Sequence, residues 1–170
     1  MTDWSEVYRT TFEDLVRFLY RKVWDPDRAR DLAQETFVRV LNHEGDEVRN
    51  PRAWVFAVAA NLARDEARTV IRRRKHLTLL KNETEAEDPA PRPDDAAIRR
   101  EEAEAARRAL EQLSERDREV LLLWDGGLSY PEIAAQTGLA LGAIGTTLSR
   151  ARKRLVAAYE SREEDHVARG

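Results

Sequence analysis

The sequence predicts an all-α protein made of two small helical domains, joined by a flexible, acidic, proline-rich linker, with a helix-turn-helix in the C-terminal domain. Nearly every segment repeats its apolar residues at helical spacing, and none alternates with period two for long enough to predict a strand. Three of the chain's six prolines and six acidic residues fall within 82–97, which predicts an extended linker there. The predicted domains are therefore 1–81 and 98–170.

Composition narrows the class of protein that this chain can be. A hydrophobic content of 42% excludes a wholly disordered chain, and 36% charged residues is typical of small domains with much surface. The absence of cysteine excludes disulfides, thiolate metal ligands and a cysteine nucleophile. No apolar run approaches the ~18 residues of a membrane span, and the N-terminus lacks the apolar core of a signal peptide. We expect a cytoplasmic protein without membrane insertion, cofactor or metal.

Capping signals delimit three helices in the first domain. Asp3 is expected to cap a helix that runs to about Trp24. Asp25-Pro26 is an N-cap followed by proline at the first helical position, which starts a second helix. Asn50-Pro51 repeats this device and starts a long third helix that reaches about Lys75. The side chains predicted to face inward include Tyr8, Phe12, Leu15, Leu19, Phe37, Val40, Leu41, Leu62 and Thr69.

The second domain begins with two predicted helices. The first lies around Ile98–Leu113. The second is capped by Ser114, with Asp117 at its third position, and runs to Trp124. The glycine pair that follows predicts a turn.

A helix-turn-helix is predicted between Gly127 and Leu155. Ser129 and Glu132 have the spacing of a capping box, and Gly138 supplies the left-handed residue that ends a short helix. A second helix then begins at Leu141, with Ile144 and Leu148 also inward. Its C-terminal half is basic and carries Arg150, Arg152, Lys153 and Arg154. This pattern is typical of a recognition helix in a DNA major groove, and an ordinary helical hairpin with a solvated basic end is the alternative.

Charge is distributed unevenly along the chain, whose net charge is −3. Basic residues cluster in 64–75 and again in 150–154, and acidic residues concentrate between these clusters. Phosphate binding depends on charge within a Debye length of ~8–10 Å, so the net charge does not exclude nucleic acid as a partner.

The third helix carries a polar and basic stripe on one face. Its members are Asn61, Arg64, Arg68, Arg72 and Lys75. Cations at this spacing can follow phosphates, and aromatic rings can stack on unpaired bases. Trp54 and Phe56 stand near the start of the helix, where either stacking on bases or packing in the core would account for them.

Two blocks of sequence stand in a fixed order along the chain. The first comprises Asp31-Leu-Ala-Gln-Glu-Thr-Phe37, Pro51-Arg-Ala-Trp54 and Asn61-Leu-Ala63, and the second Leu128-Ser-Tyr-Pro-Glu-Ile-Ala-Ala135 and Arg150-Ala-Arg-Lys-Arg-Leu155. The order, the spacing and the acidic linker between the blocks resemble the extracytoplasmic-function branch of the sigma factors of bacterial RNA polymerase.

The resemblance implies a function and a set of partners. A sigma factor directs RNA polymerase core to promoters and assists melting of the −10 element, and it is not itself an enzyme. The first domain would bind the β′ clamp helices through Asp31, Gln34 and Glu35. It would contact −10 DNA through Trp54, Asn61, Arg64, Arg68 and Arg72, and capture an unpaired base in the 42–50 loop.

The resemblance assigns other roles to the rest of the chain. The second domain would dock on the β flap and place Leu141–Leu155 in the −35 major groove. The −35 contacts would come from Thr146, Thr147, Ser149, Arg150, Arg152 and Lys153. Acidic residues of the linker would stand in for RNA phosphates in a polymerase channel, and an anti-sigma factor would control the protein.

The start of the recognition helix departs from the family pattern. Relatives usually show a lysine and an arginine among its exposed positions, whereas this chain has Gly145, Thr146 and Thr147. Gly145 would allow close approach to the DNA backbone, and the hydroxyls would donate hydrogen bonds. Fewer ion pairs imply −35 binding that is weaker or less dependent on salt.

Three other functions remain as alternatives. A repressor or response-regulator output domain could use the helix-turn-helix alone, and a helical adaptor could bind polymerase without DNA. An enzyme is disfavoured because His43, His76 and His166 lie far apart and no phosphate loop or nucleophile motif is present. Asp31 and Glu35 share a helix face, which suits a partner contact better than a metal.

Overall fold

A computed structural model describes residues 1–45, 47–80 and 95–168, and all side chains within them except those at 77–80, 95, 163 and 166. These residues form seven α-helices and no strand. The helices are α1 (Trp4–Val23), α2 (Pro26–Leu41), α3 (Pro51–Leu80), α4 (Asp95–Glu111), α5 (Glu115–Asp125), α6 (Tyr130–Thr137) and α7 (Leu141–Ala168). The chain divides into two compact units, Met1–Pro91 and Arg92–Gly170.

The helices of the first unit begin where the capping signals predict. The Asp3 carboxylate accepts hydrogen bonds from the backbone N–H groups of Ser5 and Glu6, both at 3.1 Å. Asp25 accepts from the N–H of Arg28 at 3.0 Å, and Asn50 accepts from that of Ala53 at 3.0 Å. Because each cap satisfies backbone donors that the first turn leaves free, the three helix starts are determined locally.

Helices α1, α2 and α3 pack against one another around a single core. Its fully buried side chains include Leu15, Leu19, Leu32, Val40, Val55 and Phe56. Phe18 meets Phe56 edge to face, with ring centroids 5.3 Å apart. Burial of each large apolar side chain contributes about 1.5–3 kcal/mol, so this core holds the surfaces of α2 and α3 in a fixed relation.

Two ion pairs tie α3 to its neighbours. Arg28 of α2 donates two hydrogen bonds to the Glu66 carboxylate, at 2.7 and 2.8 Å. Arg52 at the start of α3 donates to Asp14 of α1 at 3.0 Å. The paired side chains are partly shielded from water, which makes each pair stronger than a fully solvated one.

Helix α3 extends to Leu80 rather than ending near Lys75. Every described side chain from 67 to 76 is exposed, because the other described helices of this unit do not cover that part of α3. Thr69 is therefore exposed and not inward. Tyr8 and Leu41 are also more exposed than predicted, at 44% and 58%.

In the second unit, α7 packs against α4, α5 and α6. The Ser114 hydroxyl caps α5, and Ser129 and Glu132 form the predicted capping box of α6, with bonds of 2.8 and 3.4 Å. Gly138 ends α6 with φ at 74°, a conformation that favours glycine. These local predictions are confirmed. The core includes Val120, Leu123, Ile133, Ile144, Leu148 and Ala151.

Two helix boundaries and one side-chain placement in this unit differ from the predicted ones. Helix α4 begins at Asp95, so 95–97 are helical, and the rest of the predicted linker lies outside the described residues. Helix α7 continues to Ala168, beyond the predicted helix-turn-helix, which ends at Leu155. Leu141, its first residue, is 54% exposed because the buried face of α7 starts only at Ile144.

Candidate polymerase and nucleic-acid interfaces

One exposed face of α2 contains the residues predicted to bind polymerase. Asp31 and Gln34 are exposed, and the half-buried Glu35 accepts a hydrogen bond from Arg39 at 3.0 Å. Val38 and Leu41 follow Gln34 at i+4 and i+7 and are 57% and 58% exposed. The face therefore combines an acidic start with an apolar end, a composition suited to binding another protein. The apolar end was missed because Leu41 fits the buried stripe equally well by spacing.

Trp54 lies in an aromatic cluster near the start of α3. Its ring centroid is 5.8 Å from that of Trp4 in α1 and 4.8 Å from that of His43 in the 42–50 loop. Phe56 is fully buried, so core packing accounts for this residue. The partly exposed Trp54 ring instead joins the loop to the helix that carries the basic stripe.

The described part of the 42–50 loop folds against its own unit. The Glu47 carboxylate lies 3.1 Å from the amino group of Met1. The His43 ring lies so close to Gly45 that an added Cβ at Gly45 would collide with it. The loop predicted to capture a base is thus adjacent to Trp54, whereas its Asp46 lies outside the described residues.

The basic stripe of α3 is fully on the surface. Asn61, Arg64, Arg68 and Arg72 are all exposed and follow one face of the helix at i, i+3, i+7 and i+11. Arg64 donates a hydrogen bond to the side-chain oxygen of Asn61 at 3.1 Å. At 1.5 Å of rise per residue the four residues extend over about 16 Å, enough to follow several phosphates of one strand.

The residues predicted to read −35 DNA do not all face outward. Thr146, Ser149 and Lys153 are exposed. Thr147 is only 4% exposed because it follows Ile144 by three positions on the face of α7 that packs in the core. This burial corrects the sequence-based placement of Thr147 on the exposed face, since the residue is buried inside the domain.

Arg150 and Arg152 are exposed but engaged within the domain. Arg150 donates two hydrogen bonds to the carboxylate of Asp117 in α5, at 3.1 and 2.7 Å, and Arg154 donates a third at 3.3 Å. The Arg150 guanidinium holds the pKa of Asp117 below its usual value. Arg152 stacks over the Trp124 ring at 3.9 Å from its centroid. The sequence predicted Asp117 only as the third residue of the helix that Ser114 caps, and gave no sign of its contact with α7.

The described part of the chain contains neither a metal-binding cluster nor a membrane-spanning helix. No group of three or more His, Asp or Glu side chains there is arranged to hold a metal ion. Among the described helices, none has the length and apolarity to cross a membrane.

The chain is similar to known protein families and to known relatives. Residues 7–76 match Sigma-70 region 2, and residues 103–155 match Sigma-70 region 4. The chain is 30% identical to the RNA polymerase sigma factor YlaC of Bacillus subtilis, over 96% of each chain. It is also 30% identical to the ECF RNA polymerase sigma factor SigX of the same organism, over 86% of this chain and 78% of that one.

Two solved structures share the fold along most of the chain. One is the sigma factor RpoE of Bartonella quintana in complex with the anti-sigma factor NepR, with 25% identity, a TM-score of 0.62 and coverage of 94% of this chain and 98% of that one. The other is CnrH in complex with the cytosolic domain of CnrY, with 25% identity, a TM-score of 0.66 and coverage of 93% and 88%. The chain therefore belongs to the extracytoplasmic-function sigma factors of the sigma-70 family, and it directs RNA polymerase to promoters at the start of transcription.

Proposed function

We propose that the first unit binds polymerase core and opens the −10 element, while the second unit reads the −35 element. The observation that carries this proposal is the coexistence of two exposed surfaces on one three-helix unit. The α2 face ends in Val38 and Leu41, and the α3 stripe contains Arg64, Arg68 and Arg72. Because they lie on different helices of one packed core, protein and DNA can be bound at the same time.

Opening of the −10 element would use the α3 stripe together with the aromatic cluster. The three arginines of the stripe would hold the backbone of the unpaired strand, with Asn61 beside them. A flipped base would enter between the 42–50 loop and Trp54, which are already in contact. Extruding a base costs a few kcal/mol, and stacking on an aromatic ring returns about 1–3 kcal/mol.

Polymerase binding would use the α2 face against the β′ clamp helices. Asp31, Gln34 and Glu35 provide polar and acidic contacts, and the two exposed apolar residues provide area that gains free energy when water is excluded. The second unit would dock on the β flap.

Reading of the −35 element would fall mainly to the first turns of α7. Thr146 and Ser149 offer exposed hydroxyls, and Lys153 offers a cation one turn further on. A Cβ added to Gly142 would meet no atom within 4 Å, and one added to Gly145 would lie in ordinary contact with Tyr130, at 3.6 Å. Neither glycine is required by packing inside the domain, which supports a role for Gly145 in close approach to DNA.

We further propose an anti-sigma factor as a regulatory partner, because both structural relatives described above were solved bound to a partner and one partner is named an anti-sigma factor. The exposed α2 face is the surface we expect such a partner to cover. The proposed place of action is the cytoplasm, where bacterial polymerase meets the chromosome. We propose no catalytic step for this chain, since RNA synthesis is performed by the polymerase.

In vitro transcription with purified core polymerase tests the proposal directly. A pool of promoter fragments would be transcribed with and without the protein, and start sites that depend on the protein would be aligned. We expect these sites to share two motifs at a constant spacing. Binding to core without new start sites would favour an adaptor, and failure to bind core would favour a stand-alone DNA-binding regulator.

A further inference from the structure

Asp117 is unusual among the charged residues of this protein. Its side chain is 1% exposed, and it is the only acidic or basic residue that is buried in the described part of the chain. A buried carboxylate is costly unless it is paired and hydrogen-bonded. The position near the start of α5 requires no acid for capping, because the Ser114 hydroxyl already accepts the backbone N–H of Asp117 at 3.1 Å.

Two arginines of the recognition helix are partners of this carboxylate, and the Ser114 hydroxyl at the cap of α5 is a third. Arg150 presents two nitrogens to the two carboxylate oxygens, at 3.1 and 2.7 Å. Arg154, one turn later on α7, donates to the same carboxylate at 3.3 Å. A two-point contact between planar groups restricts orientation as well as distance. The contact between Arg150 and Asp117 therefore restrains rotation of α7 about its own axis.

A second contact between α7 and α5 lies near the C-terminal end of α5. Arg152 lies over the Trp124 ring at the end of α5, so arginines of α7 engage both ends of α5. The exposed Ser149 is next to Arg150 in sequence, and Thr146 is one turn before it. Because each residue turns the helix by about 100°, a small rotation of α7 would move these hydroxyls relative to a groove.

We propose that Asp117 is a positioning residue for promoter recognition, acting through Arg150 and Arg154 to fix the rotation of α7 in the −35 groove. Arg150 then serves chiefly to orient the helix, and sequence discrimination comes from the exposed side chains that it positions. This inference rests on the proposed −35 role of α7. It assigns to an acidic residue of α5 a role that phosphate contacts alone do not predict.

Removing the Asp117 carboxylate distinguishes two possible roles of Arg150 and Arg154, as phosphate contacts or as residues that orient α7. If Arg150 and Arg154 were mainly phosphate contacts, the change Asp117→Asn would release them and remove a negative charge near DNA. Promoter binding would then become tighter and more dependent on salt. If Asp117 positions α7, the same change reduces discrimination between correct and altered −35 sequences. The first role thus predicts a change in affinity and salt dependence, and the second predicts a loss of discrimination between −35 sequences.

The experiment uses holoenzyme assembled from core polymerase and the full chain. Open-complex formation is measured on two promoters that share one −10 element and differ only in an intact or scrambled −35 element. We expect Asp117→Asn to lower the ratio of the two rates about tenfold, within the range that one or two misplaced base contacts cost. Glu115→Gln, with the same charge change two residues away on an exposed position, should keep the wild-type ratio.

Arg150→Lys provides a second variant that keeps the charge but loses the two-point contact. We expect it to lose discrimination like Asp117→Asn, with an unchanged salt slope and unchanged binding to a fragment that contains only the −10 element. Circular dichroism at the assay temperature verifies that each variant keeps the helix content of the wild type. Wild-type discrimination in the folded Arg150→Lys variant, or tighter binding of both promoters by Asp117→Asn with the wild-type ratio retained, would overturn the inference. Failure of wild-type holoenzyme to distinguish the two promoters would instead contradict the proposed −35 role itself, and the inference with it.

Discussion

At the scale of single residues, two carboxylates are held ionised by arginines from another helix. The pKa of Asp117 is lowered chiefly by its hydrogen bonds to Arg150, and that of Glu66 chiefly by its hydrogen bonds to Arg28. Each pair connects two helices within one unit, so its protonation state affects how those helices are held together. Asp117 is the more deeply buried of the two acids and depends more on its partners.

The lowered pKa of Asp117 predicts that acid destabilises the protein. Its folded pKa lies below the unfolded value, so its stabilising contribution is complete above about pH 4 and is lost as the pH falls through the folded pKa. Denaturant unfolding followed between pH 7 and pH 3 should show this loss. The Asp117→Asn variant should be less stable at pH 7 and less sensitive to acid than wild type. An identical pH dependence in both proteins would contradict the assignment.

The exposed arginines of α3 lead to a prediction about salt dependence. Arg64→Ala and Arg68→Ala should each weaken promoter binding and reduce the slope of log K against log salt concentration by about one, because each removes one phosphate contact. Titrations of a fork-junction promoter at several salt concentrations measure the slope. Arg9→Ala, which removes an exposed arginine paired with Glu6 on α1, should leave the slope unchanged. Unchanged slopes in both α3 variants would contradict this placement of the contacts.

At the scale of helices, the proposed surfaces of α2 and α7 are each a face of one helix whose opposite face is buried. α2 buries Leu32 and Val40. It exposes Val38, which lies between these two in sequence, and Leu41, which follows them. α7 buries Ile144 and Leu148 and exposes Thr146 and Ser149. The core thus selects which residues of each helix remain available to a partner, and it does so by helical period.

The apolar end of α2 predicts a contribution to polymerase binding. Val38→Asp should weaken binding to core by about 1–3 kcal/mol, because it places a charge where the complex excludes water. The variant should fold normally, since Val38 is 57% exposed in the free protein. Ile98→Asp is the matched control, with 59% exposure on α4. Pull-down with core polymerase compares the two, and equal binding by both variants would contradict the proposed surface.

Replacing Gly145 by alanine should have opposite effects on the stability of α7 and on recognition of the −35 element. Gly145→Ala should raise the stability of α7 by up to about 1 kcal/mol, because glycine is a poor helix former and the added Cβ would make an ordinary contact with Tyr130. If DNA approaches the helix closely there, the methyl group should also weaken −35-dependent binding. Thermal unfolding and promoter titration measure the two effects. A stabilised variant with unaltered −35 binding would contradict the close approach.

At the scale of the whole molecule, basic and acidic residues are concentrated in different parts of the chain. The net charge is −3, yet the exposed basic stripe of α3 and Lys153 of α7 form cationic surfaces on separate units. Acidic residues concentrate in the segment between them, which includes Glu83, Glu85, Glu87 and Asp88. A protein with this distribution binds nucleic acid through local patches while it stays acidic overall.

The acidic segment gives a prediction for initiation by the whole holoenzyme. If its carboxylates substitute for RNA phosphates in a polymerase channel, replacing them by serine or asparagine should reduce initiation while core binding is retained. Serine at Glu102 and Glu104, exposed acids of α4, is the control for loss of charge alone. Abortive and full-length transcripts are counted for each protein. Initiation unchanged by the substitutions would contradict this role.

The sequence by itself determined the fold class, the positions at which the capped helices begin, and the family. Caps at Asp3, Asp25, Ser114 and Ser129 act over two or three residues, so the local sequence is sufficient to place them. The stripe of α3 was also readable, because helical period alone brings its members onto one face. The end of α3 was less predictable, since no breaker residue follows Lys75 within the helix.

Only the tertiary structure decided which polar side chains are free to meet a partner. Thr146 and Thr147 are chemically identical neighbours, and packing of α7 exposes one and buries the other. Asp117 and Arg150 are 33 residues apart, and nothing in the local pattern of either helix indicates that they meet. Contacts of this kind depend on how helices cross and rotate against one another, which is set by the whole core and by no single segment.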